Sequence, residues 1–299
     1  MLSLLRFAVT VCIVLLLGGS LAGCGTGEGV ALDEMPKSAL ILTDTSFLAD
    51  IVQNVAGDRL FAEPIVPPGA DPHSFELTPR DAQRVSWARV VVVNVKGLMP
   101  TIDGFLAGAM GRGTLLIEAA SGLPGLDEDP HCWLDPLCVV TYAENIAEGL
   151  AFVDPGGEAT YRANAAAYSE ALRELDSWIV EQVETIPRER RLLVTNHESL
   201  GRFATRYGFE IVGTIFPNTT GEGSPSARQL AELVERIRLA GASALFLETG
   251  SNTALAEQVA AETGVEVVTD LYTHSLGEGA ATYLEMMRWN VTKIVEALG

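Results

Sequence analysis

Histidine is scarce in this chain: there are four in 299 residues, His73, His131, His197 and His274. A neutral imidazole is the commonest nitrogen ligand for transition metals, and four of them close a tetrahedral shell around Zn²⁺. A lone histidine in a globular domain is more often a surface residue or a hydrogen-bonded core residue, so position decides between the two readings. Separations of 58 to 77 residues exclude a local, finger-like site. A shell made of these rings exists only once distant segments have folded together.

The elements that would bring them together alternate strand and helix. Ala39–Leu42, Phe61–Val66, Arg89–Val95 and Thr114–Ile117 read as strands in the first half, with helices at Phe47–Val55, from Thr78-Pro79, and at Pro136–Ala151. Arg191–Thr195, Glu210–Ile215, Ala244–Leu247 and Val265–Val268 are strands of the second half, with helices at Ser199–Tyr207, Pro225–Ala240, Thr253–Glu262 and Gly279–Leu298. Such alternation predicts an α/β chain with one parallel sheet in each half. Between the halves, apolar residues recur at Tyr161, Ala165, Tyr168, Leu172, Leu175, Ile179, Val183 and Ile186 with no Gly or Pro inside. That spacing predicts one long amphipathic helix stopped by Pro187. The fold class is therefore two parallel-sheet α/β lobes, 38–157 and 188–299, joined by a rigid backbone helix over 158–187. Each histidine follows a strand, and parallel sheets bind ligands at the carboxyl ends of their strands. Two rings per lobe would then meet in the inter-lobe cleft. Asp71-Pro72-His73 and Asp129-Pro130-His131 place a carboxylate beside a ring, where it can accept the outer imidazole N–H. Glu248 and Asp270, at strand ends of the second half, are candidates for the same duty.

Residues 1–23 carry a basic start, the apolar run Phe7–Leu17 and small residues before Cys24. The run is too short for a membrane span and reads as a signal peptide. Leu21-Ala22-Gly23-Cys24 resembles a bacterial lipobox, which makes Cys24 the lipidated residue and 24–37, rich in Gly and acidic residues, a flexible tether. The module is then extracytoplasmic and anchored to the cell membrane by lipid. A net charge of −19 excludes nucleic acid as a partner. Cys132 and Cys138 leave three readings open in an oxidising compartment: a disulfide, an additional soft ligand, or packing.

Gly69-Ala70-Asp71-Pro72-His73-Ser74-Phe75-Glu76-Leu77-Thr78-Pro79 and Asp129-Pro130-His131-Cys132-Trp133-Leu134-Asp135-Pro136 resemble the two N-lobe motifs of the zinc/manganese solute-binding lipoproteins of bacterial ABC importers. Asn196-His197-Glu198-Ser199-Leu200-Gly201-Arg202-Phe203-Ala204-Thr205-Arg206-Tyr207-Gly208 resembles the third motif, and Leu271-Tyr272-Thr273-His274-Ser275-Leu276 the fourth. The resemblance covers the mature chain in order. It implies a monomeric metal-binding protein with ligands at His73, His131, His197 and His274, served by a permease and its ATPase. One departure bears on the metal: the family's fourth ligand is most often Asp, whereas this chain has His274. The long His-rich loop of some zinc members is also absent. An all-imidazole set suits Zn²⁺, and oxygen-richer shells suit Mn²⁺, so Zn²⁺ is the expected cargo and Mn²⁺ the alternative. Readings from other classes are a manganese or iron member of the same family, a surface adhesin, and a zinc hydrolase with Glu198 as its base. Four protein ligands leave no position for a catalytic water, so no enzyme is expected.

Overall fold

Strand β1 (Leu40–Thr43) leads into helix α1 (Ser46–Ala56), and β2 (Phe61–Pro64) is followed by α2 (Pro79–Trp87). Next come β3 (Val90–Val93), α3 (Pro100–Ala109), β4 (Leu115–Glu118) and α4 (Pro136–Val153). The long helix α5 (Glu158–Glu184) separates this half from β5 (Leu192–Thr195), α6 (Gly201–Tyr207), β6 (Glu210–Thr214) and α7 (Ala227–Ala240). The chain then runs through β7 (Ala244–Glu248), α8 (Ala254–Thr263), β8 (Glu266–Leu271) and α9 (Tyr283–Leu298). These assignments come from a computed structural model that describes residues 40–70, 72–73, 75–95, 100–216, 224–251 and 253–299. The signal peptide, Cys24, the tether and Asp71 lie outside the described residues.

Both sheets are parallel, in the orders β2-β1-β3-β4 and β6-β5-β7-β8. The two lobes thus repeat one topology, and each carries its loops at the carboxyl ends of the strands. Strand β3 is four consecutive valines, all buried, as a central strand covered on both faces requires. Helix α2 starts at a capping box: Thr78 accepts from the Asp81 N–H, Asp81 accepts from the Thr78 N–H, and Pro79 opens the first turn. Helix α3 is an element that sequence periodicity does not disclose.

Helix α5 has 27 residues, about 40 Å at 1.5 Å per residue. Its buried stripe is Tyr161, Ala165, Tyr168, Leu172, Leu175, Ile179 and Val183, with Ser169 beside it. The helix ends two residues short of Ile186 because the approach to Pro187 tightens the last turn: the Thr185 and Ile186 N–H groups bond to Gln182 and Val183, three residues back. The strut is not bare. A single apolar cluster runs from Leu40 and Val91 through this stripe to Leu200, Phe203 and Leu271, and a smaller cluster around Leu233, Leu245 and Val259 fills the far side of the second sheet.

Candidate metal centre

The four imidazoles come from four loops, each beyond the carboxyl end of a strand: His73 after β2, His131 after β4, His197 after β5 and His274 after β8. The fold brings all four together. His131, His197 and His274 are buried at 0, 1 and 7 % exposure, and His73 is half-buried at the mouth. Ring centroids are 4.8 Å apart for His73 and His274, 5.1 Å for His197 and His274, 5.6 Å for His131 and His197, and 5.3 Å for His131 and His274. His73, His197 and His274 form the tightest group, each offering a nitrogen within 4.8 Å of the others.

Two observations speak for a cation in particular. The Nε2 atoms of His73 and His274 are 3.3 Å apart. That matches the edge of a tetrahedron of nitrogens around Zn²⁺, roughly 3.3 Å for bonds of about 2.0–2.1 Å. In addition, Nε2 of His131 and Nε2 of His197 are buried with no hydrogen-bond partner. Each such group costs about 1–3 kcal/mol if nothing satisfies it, and a cation accepts their lone pairs. The cavity bordered by His73, His197 and His274, with Gly69, Ala70 and Glu248, has a volume of about 70 Å³. Small organic ligands need pockets of roughly 300–1,000 Å³, so this one admits an ion and little else.

The outer nitrogens are held by groups behind the rings. Asp129 Oδ1 accepts from the His131 backbone N–H and stands 3.0 Å from His131 Nδ1, which leaves Nε2 as the nitrogen open to a ligand. Burial opposes ionisation of Asp129, but these His131 contacts outweigh it and hold the carboxyl below the usual range. Glu248 serves two rings at once. Its Oε1 lies 3.1 Å from His197 Nδ1 and its Oε2 lies 3.4 Å from His274 Nδ1, while Ser199 Oγ donates to Oε1 at 2.8 Å. Burial would raise Glu248, yet the His197 and His274 rings outweigh it and keep the carboxyl well below its ordinary value. Burial lowers the pKa of His131 and of His274, so both favour the neutral, ligating form.

Asp270 does not join them. Between β7 and β8 the register steps from Phe246↔Val268 to Glu248↔Leu271, two residues on one strand against three on the other. The extra residue is a bulge, and Asp270 occupies it with φ 69°. Its carboxylate is turned out to solvent, where it accepts from the Thr269 hydroxyl. Asp tolerates this left-handed conformation better than most residues. The bulge advances the chain by one position and so sets the phase of Leu271 to His274. Glu198, the base a hydrolase would need, is exposed.

Several partners went unnoticed in the sequence because they are long-range contacts of ordinary residues. The His274 loop is fastened to the first lobe. Gly69 N–H donates to Ser275 Oγ at 2.7 Å and to the Leu276 carbonyl at 3.0 Å, Leu276 N–H donates to Ser46 Oγ, and Trp133 Nε1 donates to the Thr273 carbonyl. Gly69 reaches this position at φ 80°, which a side chain would resist. Thr273 Oγ1 lies 2.9 Å from His274 Nδ1. Cys132 is buried beside His131 and is a free thiol, as is the partly exposed Cys138. Their sulfurs are in hydrogen-bond contact with each other.

Known proteins with similar sequence and architecture are metal-binding proteins. The chain is 36% identical to the manganese-binding lipoprotein MntA of Halalkalibacterium halodurans, covering 93% of this chain and 94% of that one. It is 30% identical to the manganese ABC transporter substrate-binding lipoprotein PsaA of Streptococcus pneumoniae, over 96% of both. Among solved structures, a manganese-bound periplasmic metal-binding protein from Candidatus Liberibacter asiaticus superposes with a TM-score of 0.77 at 29% identity, covering 87% of this chain and all of that one. The periplasmic zinc-binding protein TroA of Treponema pallidum shares the fold at a TM-score of 0.80 and 24% identity, over 87% of this chain and 99% of its own. Residues 41–297 match the family described as zinc-uptake complex component A, periplasmic, and the chain, a two-lobed protein with an imidazole-lined cleft, belongs to that ZnuA family.

Proposed function

We propose that this protein captures Zn²⁺ outside the cytoplasm on His73, His131, His197 and His274 and hands it to the permease of an ABC importer. The chain is a metal-binding substrate-binding component of the ABC-transporter type, an extracytoplasmic lipoprotein. Cys24 is the residue we assign to the lipid, with 24–37 as the tether. No enzymatic activity is assigned, and the protein acts as a monomer.

The observation that carries the zinc assignment is the 3.3 Å separation of the His73 and His274 Nε2 atoms, with unpartnered nitrogens of His131 and His197 beside them. Neutral imidazole nitrogens at that spacing suit a d¹⁰ ion without geometric demands of its own. Asp129 and Glu248 orient the rings from behind, and Glu248 supplies one buried negative charge against the ion's two. Asp71, two residues before His73 in sequence, is assigned the corresponding role for that ring. A second reading has support of its own. Relatives are named for manganese and for iron, and Glu248 places carboxylate oxygens at the cavity wall, where Mn²⁺ finds the oxygen it favours. Competition calorimetry with Zn²⁺ and Mn²⁺ decides between them. Tighter Zn²⁺ binding is expected, and tighter Mn²⁺ binding would overturn the choice of ion while leaving the metal-binding role in place.

A further inference from the structure

The His274 loop is strapped to the first lobe, and a strap of the opposite sense holds the His131 loop. Arg202, the second residue of α6 in the second lobe, reaches across to the segment that precedes His131. Its Nε donates to the Asp129 carbonyl at 3.1 Å, and its Nη2 donates to the same carbonyl at 2.9 Å and to the Pro124 carbonyl at 2.8 Å. These three bonds enclose a tight turn in which the Glu128 and Asp129 N–H groups both bond to the Gly125 carbonyl. The neighbouring residue is part of the same contact: a Cβ on Gly201 would stand 2.6 Å from Asp129 Oδ2, so a larger residue there would push that carboxylate aside. An arginine of an acidic protein is most simply spent on a carboxylate. Here the fork grips two backbone oxygens of another lobe.

We propose that Arg202 is a positioning residue for the metal centre: it fixes Asp129, and through Asp129 the ring of His131, so that the ligand set is complete only when the second lobe is seated on the 124–129 turn. The assignment rests on the reading that the four imidazoles bind metal. The chain of contacts is short. Arg202 holds the Asp129 main chain, the Asp129 side chain holds the His131 main chain and Nδ1 at 3.0 Å each, and His131 Nε2 is buried without another partner in a ring packed beside those of His197 and His274. Removing the guanidinium leaves two carbonyls to water and the turn to its own two bonds. Asp129 can then swing, and His131 loses the contact that sets its rotation. Residue 202 thereby links the approach of the lobes to affinity without touching the ion.

The test compares Arg202→Met, Asp129→Asn and the double variant in the full mature chain, by Zn²⁺ competition against a chromogenic chelator, the electronic spectrum of the Co²⁺-loaded protein, and melting of the metal-free protein. Loss of a partner behind a ligating histidine costs about 10–100-fold in affinity. Arg202→Met is expected to lose about 10-fold in Zn²⁺ affinity and to shift the Co²⁺ bands, with metal-free melting little changed. The double variant is expected to lose no more than Asp129→Asn alone, because the two residues act in series. Independent, additive losses, or an Arg202→Met protein with wild-type affinity and spectrum, would overturn the assignment. If Arg202→Met does not fold, Arg202→Lys carries the test. It keeps the charge but not the fork, and must show a smaller loss in the same direction, wild-type behaviour again being refutation. His131→Ala separates the two readings. If it binds Zn²⁺ like wild type, the metal reading fails at its root. If it does not, and Arg202→Met is neutral, the positioning role alone fails.

Discussion

Glu248→Gln is the most informative single change at the centre. The carboxylate faces the Nδ1 atoms of His197 and His274 at 3.1 and 3.4 Å and accepts from Ser199 Oγ at 2.8 Å. A carboxylate accepts on both oxygens, whereas glutamine offers one acceptor and turns an NH₂ toward the other ring. That ring must either lose its partner or move its proton from Nδ1 to Nε2, where it blocks the ion. A charge-assisted hydrogen bond contributes about 1.5–3 kcal/mol and a neutral one about 0.5–1.5 kcal/mol. Weakening one and losing the negative charge near a dication costs roughly 2 kcal/mol, about 30-fold in affinity. Zn²⁺ competition at neutral pH reads this directly. The metal-free variant should be modestly less stable than wild type, because a carboxylate held well below its ordinary pKa contributes stability at neutral pH. Zn²⁺ affinity within twofold of wild type would refute the reasoning, as would a loss matched by collapse of the metal-free fold.

Other expectations follow from the same contacts. His274→Ala should weaken Zn²⁺ binding at least about 100-fold, since a tetrahedral shell loses a corner; unchanged affinity would mean that the ring is not a ligand. Asp270→Ala should leave Zn²⁺ affinity unchanged and lower the melting temperature slightly, because the cost is that of holding φ 69° without a side chain suited to it, and a loss of affinity would return Asp270 to the site. For pH, the buried His131 and His274 rings have lowered pKa values, so on acidification the unfolded chain takes up protons first, near pH 6.5. Stability that is intact above that value is lost as pH falls through the window beneath it. Melting of the metal-free wild type should therefore fall more steeply between about pH 7 and pH 5 than melting of His274→Ala, whereas parallel curves would count against neutral, buried rings.

The sequence was most legible where period and position carry physical meaning. Tyr161 to Val183 all line the buried face of α5, because steps of three and four place side chains on one side of a helix. The histidines could be placed in a cleft because loops at the carboxyl ends of parallel strands converge. Helix α3 was silent: Gly104 and Gly108 sit within it, and its apolar residues do not favour one face. Glu248 and Asp270 looked equivalent, both acidic and both at strand ends, and only the bulge separates them. Nothing local announces a bulge when the residue in positive φ is not glycine. Ser199 and Arg202 lie inside a recognisable motif, but their partners are 49 and 73 residues away.

How the ion leaves is constrained by the same packing. A wide parting of the lobes would break an apolar cluster that includes Phe203, Tyr207, Leu271 and Leu276 of the second lobe together with α5 and the first sheet. Exposing four such side chains costs about 6–12 kcal/mol at 1.5–3 kcal/mol each. That is comparable to the whole stability of a domain, about 5–15 kcal/mol. Breaking the straps costs less: the hydrogen bonds that Ser46, Gly69 and Trp133 make to the His274 loop contribute about 0.5–1.5 kcal/mol each. Release should therefore proceed by movement of the loops bearing His197 and His274 while α5 and the sheets stay in place. A compact chain of this size has a radius of gyration near 18 Å, and X-ray scattering of metal-free and loaded protein should agree within about 1 Å of that value. Hydrogen exchange should meanwhile rise at 272–276 and around His197 in the metal-free form, and stay slow along α5. A larger change in radius, or fast exchange in α5 on loss of metal, would show that the lobes separate as whole bodies and that the shared core does not hold them.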